Sequence, residues 1–238
     1  MAFKCKIWTG IVLATYILFV LLQLNDKGFF ADAAKSFILP VITLIYFLTV
    51  KNKPLFFTLF LILYSISDLT VFVEPYMSFV MSYYIGNTLY ILAYLFLVIE
   101  ICKSISLFYI IKNFKIHMVV LISLNIYIGY VLQVVVNPYV DKANEYYVEI
   151  VYNFVMLVLL SVSLLNYFYR DNVKALYLFL GSLCIVFAEV IWVAYTYISE
   201  RNLLSIVSTT LYLAAFYFFY KQSKLEYEDN EPFDVLVN

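Results

Sequence analysis

An all-α, polytopic membrane bundle is the fold class this sequence predicts, on three observations. Hydrophobic residues make up 65% of the 238 and charged residues 13%, against about 25% charged in soluble domains, and mean hydropathy is +0.93. Apolar stretches of roughly 17–25 residues, long enough to cross a hydrocarbon core of about 30 Å, recur from end to end. Lys and Arg collect in alternate gaps between those stretches, as membrane insertion requires.

Taken in order, apolar runs bounded by charge or proline predict eight transmembrane helices. They fall at about residues 7–24, 36–50, 54–74, 78–101, 116–136, 147–169, 173–198 and 203–220. The first follows a basic start and precedes no small-x-small cleavage pattern, so it reads as a retained helix and not a signal peptide. The second is the shortest. "KNKP" divides it from the third, where Pro54 suits a first helical turn. The eight compose a single transmembrane domain over residues 1–222, and the acidic end, residues 223–238, reads as a short cytoplasmic tail.

An even number of spans returns the chain to its starting side. Lys4, Lys6, Lys51, Lys53, Lys103, Lys112, Lys115, Arg170, Lys174, Lys221 and Lys224 occupy one set of connections and ends, 11 of the 15 basic residues. Lys27, Lys35, Lys142 and Arg201 occupy the other set. The basic side is the cytoplasmic one, so both termini are expected inside. A net charge of −1 offers no patch for nucleic acid. Cys5, Cys102 and Cys184 show neither a disulfide frame nor a metal-ligand spacing, and no cofactor is implied. His117, beside Lys112 and Lys115, reads as an interfacial structural residue.

The chain also resembles itself. "NTLYILAYLF" (87–96) lies over "TTLYLAAFYF" (209–218) at an offset of 122, and Asp68 lies over Glu189 at 121. The third and fourth helices thus look like relatives of the seventh and eighth. An even number of helices separates the pairs, which predicts two parallel four-helix repeats about an axis along the membrane normal.

Asp68 and Glu189 each stand 15 residues from a basic residue of the cytoplasmic side, Lys53 and Lys174, or roughly 22 Å at the helical rise. Asn87 and Asn153 fall at roughly 24 and 26 Å by the same measure, with Tyr64, Ser65 and Tyr152 near enough to join them. Four helices thus contribute to one polar layer past mid-membrane. An acid at a helix centre costs about 2.5–3.5 kcal/mol to insert. Every Lys and Arg falls in a loop or at an end by this reading, so no basic side chain is expected inside to offset the acids. The acids must then be protonated, hydrogen-bonded or wetted by a cavity. Either acid alone is readable as a helix–helix contact; two at matched depth and matched repeat positions point to a site.

At these residues the sequence resembles a family. "YSISDLTVF", "GNTLYILAYLF", "GSLCIVFAEVIWVA" and "STTLYLAAFYFFY" resemble the four signature segments of the YhhN-type lysoplasmalogenases. Those run approximately Ser-x-x-x-Asp, Ala-His-x-x-Tyr-x-x-x-Phe, Gly-x-x-x-Phe-x-x-Ser-Asp and Tyr-Tyr-x-Ala-Gln. The resemblance implies an integral-membrane hydrolase, in a bacterial inner membrane, that cleaves the vinyl ether bond of a lysophospholipid. It implies Asp68 and Glu189 as the catalytic pair, with Glu189 standing where the family has Asp. Tyr90 matches the tyrosine of the second segment. Asn87 replaces its His, and Ala215 replaces the Gln of the fourth.

The chemistry suits the layer. Enol ether hydrolysis begins with a proton delivered to carbon and passes through an oxocarbenium-like cation, for which two carboxyls in separate roles serve. Asn87, Tyr90, Tyr64, Asn153 and Tyr152 are the expected substrate-binding residues; Asn87 cannot carry protons as a histidine does. Two other classes remain open on the residues: a proton-coupled small-molecule transporter, and a non-catalytic protein that binds lysolipid. The lipid head group and the oligomeric state are not readable.

Overall fold

The computed structural model describes residues 2–139 and 143–225. Lys142 and the acidic tail beyond residue 225 lie outside the described residues, as do the side chains of Lys4, Cys5 and Lys6. The chain is helical in order: α1 (Ala2–Leu24), α2 (Gly28–Ser36), α3 (Ile38–Thr49), α4 (Leu55–Leu69), α5 (Phe79–Cys102), α6 (Leu107–Asn113), α7 (Lys115–Val136), α8 (Ala143–Arg170), α9 (Val173–Tyr197) and α10 (Asn202–Ser223). Seven helices among the described residues are long and apolar enough to cross a membrane: Gly28–Thr49, Leu55–Phe72, Val80–Cys102, Lys115–Val136, Glu145–Arg170, Val173–Tyr197 and Asn202–Ser223. Trp8–Leu24 is a shorter apolar helix. The molecule is a helical membrane bundle.

The largest departure from the sequence reading is the second span. It begins at Gly28 rather than at residue 36, because α2 and α3 run on as one rod with a break at Phe37. Pro40 explains the break, since it has no N–H for the Ser36 carbonyl and its ring crowds that group. "GFFADAAKS" is helical despite Asp32 and Lys35. The third span ends its α-helix at Leu69, one residue past Asp68, and continues as the 3₁₀ turn Thr70–Phe72. The sixth starts earlier than expected, at Ala143.

Local chemistry sets several ends. Ser78 caps α5, its Oγ accepting from the Met81 amide at 3.3 Å, and Asn172 caps α9, its Oδ1 accepting from the Ala175 amide at 2.8 Å. Asp171, at φ 43°, takes the left-handed conformation that ends α8 and leaves a two-residue turn into α9.

Packing closes six rods into a ring. α4 packs on α5, α5 on α8, α8 on α9, α9 on α10, α10 on α3, and α3 on α4. α1 leans on the outside against α2, α3 and α10, and α7 against α8 and α9. At two crossings a serine is bonded to the facing backbone: Ser67 Oγ donates to the Gly86 carbonyl between α4 and α5, and Ser208 Oγ to the Ala188 carbonyl between α10 and α9, both at 2.9 Å. Small residues permit such approach. Gly181 is another, because a Cβ there would lie 2.5 Å from the Phe219 ring.

The basic connections meet at one end. Lys51, Lys174 and Lys224 line a common cleft, Lys103 stands 3.8 Å over the Phe56 ring, and Arg170 donates through Nε to the Ser104 carbonyl at 2.9 Å. His117 is exposed near that end, its ring against Phe114 and Phe168. Inside the ring, Phe60, Phe216 and Phe219 stack with centroids 5.4–5.9 Å apart, and Tyr64 stands on Phe216 at 4.9 Å. This aromatic floor lies beneath the polar layer.

Candidate active site

The ring encloses a cavity of about 350 Å³. Its walls come from the α2–α3 rod, α4, α5, α8, α9 and α10. All seven residues singled out from the sequence line it: Asp68 and Tyr64 from α4, Asn87 and Tyr90 from α5, Tyr152 and Asn153 from α8, and Glu189 from α9. Ser65 does not. It is buried between helices, bonded to Thr43 at 2.8 Å and to the Leu61 carbonyl at 2.7 Å.

The acids differ in setting. Glu189, only 6% exposed, accepts on Oε1 from the Tyr94 hydroxyl at 2.9 Å and from the Tyr152 hydroxyl. The Tyr212 hydroxyl is also within hydrogen-bonding reach of it. Tyr94 reaches on to the Tyr64 hydroxyl at 3.4 Å. Asp68 is half-buried and accepts from one tyrosine, Tyr90, at 2.7 Å on Oδ1. The two carboxyls are close enough to feel each other's charge.

The expectation that no basic residue lies inside is overturned. Lys35, placed in a loop by the sequence reading, belongs to α2 and reaches the cavity, where it is half-buried. Its Nζ stands 3.7 Å over the Trp192 ring and 5.9 Å from that of Tyr212, a cation–π arrangement. Asp32, Asp68 and Glu189 all act on it electrostatically. An ammonium resting on aromatic faces beside carboxyls is paid for by both kinds of neighbour.

Glu149, Tyr83, Trp192 and Tyr212 also line the cavity, and sequence reasoning passed over them. The Tyr83 hydroxyl donates to Glu149 Oε1 at 2.6 Å. Glu149 falls near the start of the expected span 147–169, and α8, which begins at Ala143, carries it a turn and a half inside. The signal for Tyr212 was present, since it lies over Tyr90 at the repeat offset of 122. Nothing in composition separates Trp192 from a belt residue.

The two asparagines behave differently. Asn87 donates one N–H of its Nδ2 to the Tyr83 carbonyl of its own helix at 3.0 Å, which leaves its Oδ1 and a second N–H to present to the cavity. Asn153 is 5% exposed, and its Nδ2 meets no acceptor. Among the described residues no group of three His, Cys, Asp or Glu side chains gathers to hold a metal ion.

Chemically the cavity offers carboxyls, a bank of hydroxyl donors and one ammonium in an apolar, aromatic setting. It can bind the polar end of an amphiphile, deliver a proton and stabilise positive charge. Comparison with family models, curated proteins and solved structures finds no match.

Proposed function

We propose that the chain is an intramembrane lipid hydrolase that opens the vinyl ether bond of a lysoplasmalogen-type lysolipid. The observation that carries this reading is the shared cavity, in which Asp68 and Glu189 take unequal hydrogen-bond environments. A carboxylate surrounded by hydroxyl donors is satisfied in its ionised, acceptor-only form, which gives Glu189 the role of the anion. Asp68, with one donor, has an oxygen available to carry a proton and is the general acid.

The reaction then balances simply. The Asp68 proton adds to the second carbon of the alkenyl chain, and the π electrons leave a cation shared between the first carbon and the ether oxygen. Glu189 stabilises that charge electrostatically. Water attacks the first carbon and returns a proton to Asp68. The hemiacetal collapses to a fatty aldehyde and a glycerol hydroxyl. Lys35 offsets part of the negative charge of the surrounding carboxyls. Tyr90, Tyr64, Tyr152, Asn87 and Asn153 shape and orient the polar end of the lipid.

The same reading includes an eighth span, α1, both termini in the cytoplasm, a bacterial inner membrane, and descent from a duplicated four-helix unit. The ring supports the duplication. Advancing each span by four carries the ring order onto itself. Asp68 with Tyr90 and Glu189 with Tyr212 are equivalent pairs, and Ser67–Gly86 lies over Ala188–Ser208 at the same offsets. These features also support membership of the YhhN-type lysoplasmalogenases.

One observation favours a second reading, a non-catalytic lysolipid-binding protein: Asn87, standing at the family's histidine, is held through one N–H by the Tyr83 carbonyl and, as an amide, carries no proton to or from a substrate. A transporter is less well supported, because the aromatic floor separates the cavity from the basic end. The test is incubation of the purified chain with 1-(1Z-alkenyl)-lysophosphoethanolamine. Hydrolysis predicts free fatty aldehyde from the parent and none from Asp68→Asn. Retained lipid without aldehyde in the parent overturns the hydrolase and leaves the binder.

A further inference from the structure

Outside the ring, α7 and α8 enclose a second cavity of about 450 Å³. Its walls are apolar, including Ile122, Ile126, Phe154 and Val158, apart from Asn125, Gln133 and Asn153. The register of the two helices is fixed by two contacts. Asn125 Nδ2 donates to Ser161 Oγ at 2.7 Å, and a Cβ on Gly129 would lie 3.7 Å from Leu157 Cδ1. Four residues forward on α7 answers to four back on α8 in this antiparallel pair. One more step sets Gln133 opposite Asn153.

Those two side chains share a defect. The amide nitrogens Gln133 Nε2 and Asn153 Nδ2 are enclosed and bonded to no acceptor, a costly condition for buried donors. Both line this cavity; Asn153 stands in the wall between it and the ring cavity and lines that one as well. Asn125, the third amide, has its partner in Ser161 and asks for nothing.

We infer that the α7–α8 cavity binds a membrane glycerolipid through the carbonyl of an acyl ester, which accepts from Gln133 and Asn153 while its chain lies along the aliphatic walls. Two neutral amide donors in one apolar cavity select an oxygen acceptor. No Lys or Arg lines the cavity, so a carboxylate or phosphate there would be an unpaired charge in an apolar setting. The neighbouring face of α7 is exposed at Ile122, Ile126 and Tyr130, as suits a face turned to lipid. Gln133 lies three residues from the end of α7 at Val136, roughly 4.5 Å by helical rise, the depth of the interface where ester carbonyls of a glycerolipid lie. The site stands on the α7–α8 pair and holds whether or not Asp68 and Glu189 hydrolyse anything.

The experiment compares two lipids on the full chain in detergent, by native mass spectrometry. Dioleoylphosphatidylcholine carries ester carbonyls; its dioleyl ether analogue has matched chains and none. The parent is expected to retain the ester lipid about ten-fold better, as one or two net hydrogen bonds would give. Gln133→Leu together with Asn153→Leu is expected to bind the two lipids equally. Gln133→Leu alone, on the peripheral helix, is expected to lose part of the preference, and serves if the double variant does not fold. A thermal midpoint equal to or above the parent's shows that a variant is folded. Equal retention of both lipids by the parent, or a preference that survives in the variants, overturns the site and leaves water or bulk lipid tails in the cavity. Hexadecanal that displaces the ester lipid at lower concentration than the ester itself overturns the assignment of the occupant.

Discussion

Asp68 and Glu189 are the same chemistry placed twice, and the structure treats them differently. Both project from a ring helix into one cavity, and each has a tyrosine from the next helix at the equivalent position. Glu189 lies in the middle of α9, 6% exposed, with Tyr94 and Tyr152 also donating to it. Asp68 lies at the last turn of α4, half-buried, with Tyr90 as its hydroxyl partner. Tyr94 of α5 and Tyr152 of α8 bring hydroxyls from two further helices to Glu189. Two acids in one cavity are thus given different settings by their neighbours alone.

The ways to break that comparison follow from it. The largest effect is expected of Asp68→Asn, which keeps the shape and removes the proton. Aldehyde release should fall about a thousand-fold, within the range for loss of a general acid, while lysolipid binding persists. Binding and turnover falling in equal proportion would make Asp68 a binding residue instead. Glu189→Gln should cost about a hundred-fold in turnover, as for a removed electrostatic stabiliser, and the converse ordering of the two variants would exchange their roles.

Smaller effects sharpen the picture. Tyr152→Phe removes one hydroxyl from Glu189 and should lower turnover about ten-fold, the scale of one hydrogen bond to a charged group. Tyr90→Phe applies the same change to Asp68. Because Asp68 carries a proton in this account and is not an anion to be stabilised, Tyr90→Phe should lower the rate less than Tyr152→Phe does. Lys35→Met should weaken turnover about ten-fold and change Trp192 fluorescence, since the ammonium leaves the indole face. Unchanged Trp192 emission would show that the pair does not persist in the membrane. Gly181→Ala acts on stability alone. The added methyl meets Phe219 at 2.5 Å, and overpacking of this kind costs about 1–3 kcal/mol, read as a lower thermal midpoint with turnover per folded molecule retained.

Much of this was legible before the coordinates. Seven of the eight expected spans recur as helices long and apolar enough to cross a membrane, because insertion into lipid writes hydrophobicity and length directly into the sequence. Depth counts from Lys53, Lys103, Arg170 and Lys174 brought Asp68, Asn87, Asn153 and Glu189 to one level, and they line one cavity. Helical rise is constant, so counting residues is a measurement.

Lys35 was missed for an equally physical reason. The second apolar run, bounded by charge, begins at residue 36, directly after Lys35, and that boundary put Lys35 outside. The kinked rod from Gly28 instead carries it in beside Trp192. A cation held by aromatic rings from a distant helix leaves no mark in its own segment. Glu149 stands two residues into the expected span 147–169, where an acid reads as interfacial, and the earlier start of α8 at Ala143 places it deeper. Tyr94 was hidden among 24 tyrosines, since only the helix rotation set by packing tells it from its neighbours.

The most direct test of two acids in two roles is hydrolysis of the alkenyl lysolipid in D₂O, with the released aldehyde analysed by mass. The account predicts one deuterium on the second carbon of the aldehyde from the parent, and no aldehyde above the uncatalysed level from Asp68→Asn. Aldehyde that carries no deuterium, or undiminished turnover in Asp68→Asn, would contradict it.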